Sequence, residues 1–375
     1  MSQQEQRDGK SRLMMRGCAC GCENTISLTG SMLSRRQFVA GAAGAATLAA
    51  TGFGLSRPGL AQGAEKPYRV DVHHHLTPPT YMAAAIANNF GDGAQRNWTV
   101  EKSLADMDKA GVAISMLSVT QPGVNFTSGE TARKLARESN EYAAKLISDH
   151  PGRFGGFAML PLTDVDGSLI EITYALDTLK LDGIGLLTNY HDKWLGDPAF
   201  LPVMEELNRR KVVVYTHPAT ADCCVNLVKT EPPALIEWGT DTTRTIADIV
   251  FSGNAQKFRD IKWIFSHAGG TMPFLIERFV RQPQLESKYK STVPDGTLAE
   301  LTRFYYDTAQ TSNKAAMSAL AAIIPTSQIL FGTDYPYRTA IDHVKGLRSC
   351  GVFTDAQIMD IERGNAAKLL PRIGA

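Results

Sequence analysis

The chain has 375 residues and a formal net charge of +1, with 43% hydrophobic and 21% charged residues. This is the composition of an ordinary soluble globular protein, and the near-neutral balance gives no electrostatic reason to expect nucleic acid or an anionic membrane as partner. Six cysteines are split between Cys18, Cys20 and Cys22 near the start and Cys223, Cys224 and Cys350 later on. None forms the CxxC pair that a zinc ribbon or thioredoxin-like centre uses, and the adjacency of Cys223 and Cys224 disfavours a disulfide between them.

The first element in chain order is a leader. "SRRQFVAGAAGAATLAA" pairs Arg35-Arg36 with Phe38 and then runs through Ala, Gly and Leu to Ala50. It reads as a twin-arginine export signal, with "GLAQ" offering cleavage after Ala61, and it implies a periplasmic protein. Its apolar stretch is too weak for a membrane span, which takes about 20 strongly apolar residues. Met32 is a second candidate start. The leader therefore covers 1–61 and leaves one catalytic domain over 68–375, long enough for a single large α/β core.

From Arg69 onward short apolar runs alternate with helical patterns. "RVDVHH" is strand-like. "VEKSLADMDKAGV" places Leu104, Met107 and Ala110 on one helical face and stops at Gly111. "AISMLSV", "RFGGFAMLP", "GIGLLT", "VVVYTH", "KWIFSH", "FYYDTA" and "ILFGTD" supply seven further strands. Helical patterns separate them, among them "SGETARKLARESNEYAAKLISDHP" with Ser128 as N-cap, "GSLIEITYALDTLKL", "DPAFLPVMEELNRR", "TDTTRTIADIVFSG", "MPFLIERFV" and "NKAAMSALAAII". Eight strand–helix units predict a closed (β/α)8 TIM barrel. The open doubly wound sheet is the alternative, but its glycine-rich phosphate turn is missing. "NNFGDGAQRNW", Asn88 to Trp98, reads as a long polar loop over the catalytic face.

Barrel enzymes carry their chemistry at the C-terminal ends of strands. The first strand ends in His73 and His75, the fifth in His217, the sixth in His267 and the eighth in Asp334. Residues i and i+2 of a strand share a face, roughly 6.6 Å apart, so His73 and His75 can converge on one ion while His74 points away. Nitrogen-rich ligation with one carboxylate suits Zn2+ first, with Mn2+ as alternative, and also Fe2+ or Co2+. Each histidine alone could be structural. Together at strand ends the five predict a metal site, in which His217 and Asp334 can complete the pair His73 and His75. His150, His191 and His343 read as structural, and Tyr81, Trp98, Tyr190 and Tyr335 suit either a planar ligand or loop packing.

These motifs, "VDVHHH", "THP", "SHAGG", "FGTDYP" and "GNAAKLL", resemble the amidohydrolase-related family that includes aminocarboxymuconate semialdehyde decarboxylase. Within it, "YALDTLKLDGIGLLTNY" and "ELNRRKVVVYTHP" are similar to the 6-methylsalicylate decarboxylase branch. The resemblance spans roughly Val70 to Leu370. It implies a mononuclear metal on the four ligands above, His267 and Asp334 as catalytic residues, Arg278 as a contact to substrate carboxylate, in some relatives from a neighbouring subunit, and a homodimer. No lysine follows strand four, which fits one metal rather than two. The implied reaction is non-oxidative decarboxylation of a small aromatic, hydroxybenzoate-type or unsaturated carboxylic acid, with Asp334 returning a proton to the ring carbon. Hydrolysis of a lactone, amide or ester on the same ligands is the alternative. A non-catalytic metal- or ligand-binding protein fits less well, because a ligand stands at every expected strand end.

Overall fold

The computed structural model describes residues 68–374; the leader lies outside the described residues. Eight strands form one parallel sheet in sequence order: β1 (Arg69–His75), β2 (Val112–Ser118), β3 (Phe154–Met159), β4 (Gly183–Leu187), β5 (Val213–His217), β6 (Lys262–Phe265), β7 (Tyr305–Asp307) and β8 (Ile329–Leu330). Backbone bonds close the ring from the end of β8 onto β1. Val72 N donates to Phe331 O (2.9 Å), Asp334 N to His73 O (2.8 Å) and His75 N to Tyr335 O (2.8 Å). The expected barrel is therefore present. Among the described residues, no helix is long and apolar enough to cross a membrane.

Two layers of core follow from the alternation of side chains along each strand. Val70, Val72, Met116, Phe157, Tyr215, Ile264 and Leu330 fill the barrel, and Leu369, Leu370 and Ile373 join them from the C-terminal segment. The opposite faces, including Ile184, Leu186, Val214, Trp263 and Phe265, pack against the surrounding helices. These are α1 (Pro79–Ala87), α2 (Gly93–Arg96), α3 (Val100–Ala110), α4 (Gly129–Asp149), α5 (Val165–Thr173), α6 (Leu201–Arg209), α7 (Pro233–Phe251), α8 (Ile276–Leu285), α9 (Lys314–Ala321) and α10 (Ala340–Ser349).

Several elements differ from the sequence expectation. Asn88 to Trp98 is not all loop: Asp92 and Gln95 form a capping box that starts the short helix α2. Helix α7 begins at Pro233, seven residues before "TDTTRT", because a proline at the first helical position needs no amide partner. Its first turn exposes Leu235 and Ile236, which hides the apolar period there. "MPFLIERFV" is helical only from Ile276. α5 passes into a π-helical turn over Tyr174–Thr178. Ser128 occupies the N-cap of α4, but its side chain makes no cap bond.

Candidate metal centre

Strand geometry delivers the ligands. On β5, Val213, Tyr215 and His217 share the inward face, so His217 stands directly above the packed interior. On β1 the register with β2 shifts between Asp71 and His74. That irregularity lets Val70 and Val72 point inward below while His73 and His75 point inward above. His74 turns outward, 3.0 Å from Asp71 and stacked on Tyr335, as the sequence suggested.

The four predicted ligands meet. His73 Nε2 lies 3.1 Å from His75 Nε2. Asp334 Oδ1 lies 2.9 Å from His75 Nε2, 3.1 Å from His73 Nε2 and 3.9 Å from His217 Nε2. All four donor atoms fall within 4.8 Å of one another, and all four residues are buried. Ligands about 2.1 Å from one ion stand roughly 3–3.5 Å apart, which the His73, His75 and Asp334 donors already match, while the His217 side has to draw in to share one cation.

The chemistry of the donors tests that reading independently. His73 Nδ1 is 2.8 Å from Asp307 Oδ2, His217 Nδ1 is 2.9 Å from the Pro218 carbonyl, and His75 Nδ1 is 3.3 Å from the Ser118 carbonyl. Each ring spends its Nδ1–H on an oxygen acceptor, which leaves each Nε2 with a lone pair. Three lone pairs and a carboxylate oxygen then face one another out of water. That arrangement repels itself unless positive charge sits between, a divalent ion or, in its place, a second proton on His73, so the residues present fit a divalent metal.

The surrounding charges are consistent. Burial by itself lowers His73, but Asp307 and Asp334 on either side outweigh it and push it up to about 10. Burial holds His75 below, and His217 well below, the usual histidine value, which keeps both neutral and ready to ligate. For Asp334 burial acts upward; the charge of His73 and the neighbouring imidazoles overcome it and hold the carboxyl well below its usual range.

Asp307, at the end of β7, was missed by the sequence reading. Its Oδ2 takes the His73 proton, and its Oδ1 accepts from the backbone of His267 (2.9 Å) and Ala309 (3.0 Å). The available signal was an aspartate closing "FYYD" at the end of β7. Asp71 is a second brace, accepting from His73 N (3.0 Å) and from Thr333 N (3.0 Å) and Oγ1 (2.7 Å).

His267 arrives beside the ligands as predicted, its Nε2 3.4 Å from Asp334 Oδ2. It and Ala268 take positive φ, 54° and 57°. Gly270 of the same "SHAGG" turn must be glycine. Its φ is +66°, and a Cβ there would stand 1.9 Å from the Gly239 carbonyl oxygen of α7.

The centre opens into a cavity of about 720 Å3 whose wall includes Asp92, Leu235, Trp238, His267, Gln310 and Tyr337. That size suits a small organic molecule. Tyr81, Trp98, Tyr190 and Tyr335 are buried in packing and do not line it, so their part is structural. Trp238 and Tyr337 supply the aromatic walls instead, with ring centroids 6.4 Å apart. Arg278, in the first turn of α8, is exposed and outside the wall of its own chain's cavity. His191 is exposed beside Asp222, and His343 is buried against Ser312, both away from the cluster.

The family model described as Amidohydrolase matches residues 70–372. The decarboxylase yanB of Aspergillus niger is 37% identical over 324 residues, covering 81% of this chain and 88% of that protein. The 6-methylsalicylic acid decarboxylase acuB of Aspergillus aculeatus is 33% identical over 321 residues, covering 81% and 96%. Among solved structures, the dihydroxybenzoic acid decarboxylase of Polaromonas sp. JS666, with bound manganese and the inhibitor 2-nitroresorcinol, aligns with a TM-score of 0.70. It is 20% identical and covers 81% of this chain and 97% of that one.

Proposed function

The chain belongs to the amidohydrolase family, and we propose on that premise that the His73–His75–His217–Asp334 centre is where it removes CO2 from a small aromatic acid. The enzyme is a carboxy-lyase, a decarboxylase like its relatives. The observation that carries the site assignment is the convergence of three Nε2 atoms and one carboxylate oxygen, with Asp334 and His267 opening onto the cavity. A divalent ion held by those four residues supplies Lewis-acid polarisation of substrate oxygens. Zinc suits the ligand set, and the manganese bound by the Polaromonas enzyme supports the alternative.

The chain's own residues supply the rest. Asp307 fixes the tautomer of His73 and the backbone of His267. Trp238 and Tyr337, packed edge to face, form one aromatic wall against which a planar ring can lie. Breaking the ring–carboxyl bond leaves its electron pair on the ring carbon, which then needs a proton. Asp334 Oδ2 faces His267 and the cavity. Held as a carboxylate, it takes an acidic proton from the incoming hydroxy acid and returns it to that carbon, while His267 positions the carboxyl group.

Arg278, exposed and outside its own cavity, is available to a second copy, and we place it as a carboxylate contact across a homodimer. The deciding experiment loads the protein with Zn2+ or Mn2+ and offers salicylate-type acids and lactones, with products read by mass spectrometry. Sedimentation of the same samples reports the dimer. CO2 and a decarboxylated ring are expected, and both are lost in His73→Ala and Asp334→Asn. Turnover that survives both substitutions refutes the site; hydrolysed lactone without CO2 refutes the reaction.

A further inference from the structure

Asp334 uses its two oxygens differently. Oδ1 turns into the histidine triad, 2.9 and 3.1 Å from His75 and His73. Oδ2 turns out toward the cavity, where Gln310 Nε2 donates to it at 3.0 Å. His267 Nε2 is farther, at 3.4 Å, so the amide of Gln310 makes the shorter contact.

The backbone under Gln310 is unusual. It is the third residue of the turn that follows β7, closed by Thr311 N donating to Thr308 O (3.1 Å), and its φ is +56°. Glycine or asparagine takes that left-handed conformation at least cost, and glutamine is not among the residues that favour it. Strain of this kind persists where the side chain is needed at that point. Here the left-handed turn carries the amide across the cavity wall to Asp334, whose own φ is +61°.

We infer that Gln310 is a positioning residue that keeps Asp334 a one-oxygen ligand, holding Oδ2 off the metal so that a coordination position stays open to substrate. The inference rests on the metal centre proposed above. A carboxylate beside a divalent cation can ligate through one oxygen or two. With the Gln310 amide removed, rotation of the carboxyl group brings Oδ2 in. Oδ2 would then crowd the side of the ion that faces the cavity and that substrate would approach. The substrate then has to displace a protein ligand before it can bind.

The test uses Gln310→Met, similar in length but without a donor, and Gln310→Gly, which also releases the backbone strain. The Mn2+-loaded proteins are compared by water-proton relaxation, which counts exchangeable water on the metal without reference to activity. Both variants are expected to lose about half or more of the wild-type relaxation enhancement. KM for the aromatic acid rises about tenfold, and kcat falls with it because the oxygen drawn onto the ion is the one that carries the proton. Metal content and Tm stay at wild-type values, and Gln310→Gly is not less stable than Gln310→Met. Unchanged relaxation and KM in both variants overturn the inference. So does joint loss of metal, Tm and kcat, the mark of a merely structural role. A wild-type protein that binds no Mn2+ or Zn2+ fails the metal centre itself, and the inference falls with it.

Discussion

Asp307 illustrates how a residue with no access to substrate can govern a site. It takes the Nδ1–H of His73 and the backbone N–H of His267 on separate oxygens, which ties the proposed ligand and the proposed catalytic histidine to one carboxylate. Asp307→Asn keeps the shape but loses the charge that orients His73, and metal affinity is expected to fall about 10- to 100-fold. The same experiment carries a pH signature. His73, pushed up to about 10 between Asp307 and Asp334, holds a proton that a cation has to displace. Below that value the apparent affinity falls as pH falls, about tenfold per unit, because each metal bound releases that proton. In Asp307→Asn the proton is held less tightly, so the slope becomes flatter over pH 6–9. Chelator competition at several pH values checks both; equal affinities and equal slopes in the two proteins contradict the role given to Asp307.

At the scale of elements, the site depends on small departures from regular structure. The irregularity in β1 between Asp71 and His74 puts His73 and His75 on the axis. The end of β8 has to run close beside β1 and β7, and Gly332 makes that approach feasible. A Cβ at Gly332 would stand 2.9 Å from His73 Cβ and 3.0 Å from Asp307 Cβ. Gly332→Ala forces those two side chains apart, at an overpacking cost of about 1–3 kcal/mol. The expected result is a lower Tm together with weaker metal retention, read by calorimetry and metal analysis. A variant that loses stability but keeps its metal would show that the crowding is relieved elsewhere. The strands and most helices were legible from apolar periodicity. The start of α7 was not, because its first turn exposes its leucine and isoleucine, and α2 was hidden inside a polar stretch whose capping box spans only four residues.

For the whole molecule, the barrel converts separation along the chain into proximity: His73 and Asp334 are joined through a ring that closes by hydrogen bonds between β1 and the end of β8. A folded, metal-loaded barrel is the form of protein that a twin-arginine leader would export, and we propose a periplasmic location on the strength of Arg35-Arg36 and the apolar run after them. Replacing Arg35 and Arg36 by lysine is expected to leave the enzyme active in the cytoplasmic fraction and nearly absent from the periplasm. Equal periplasmic activity with and without the arginine pair would remove the basis for that location.

What the sequence determined by itself was the local chemistry. Periodicity marked eight strand–helix units, and histidines or aspartates at four strand ends marked the ligands, because side-chain alternation and strand termini are local properties. Only the tertiary structure decided how those groups face one another. The distances among Nε2 atoms, the turning of one Asp334 oxygen inward and the other toward Gln310, the bracing by Asp307 and Asp71, and the choice of Trp238 and Tyr337 as cavity walls all come from contacts between strands and helices far apart in the chain. No period or motif encodes such contacts, since each depends on the closure of the barrel and on the path of loops whose residues are polar and irregular.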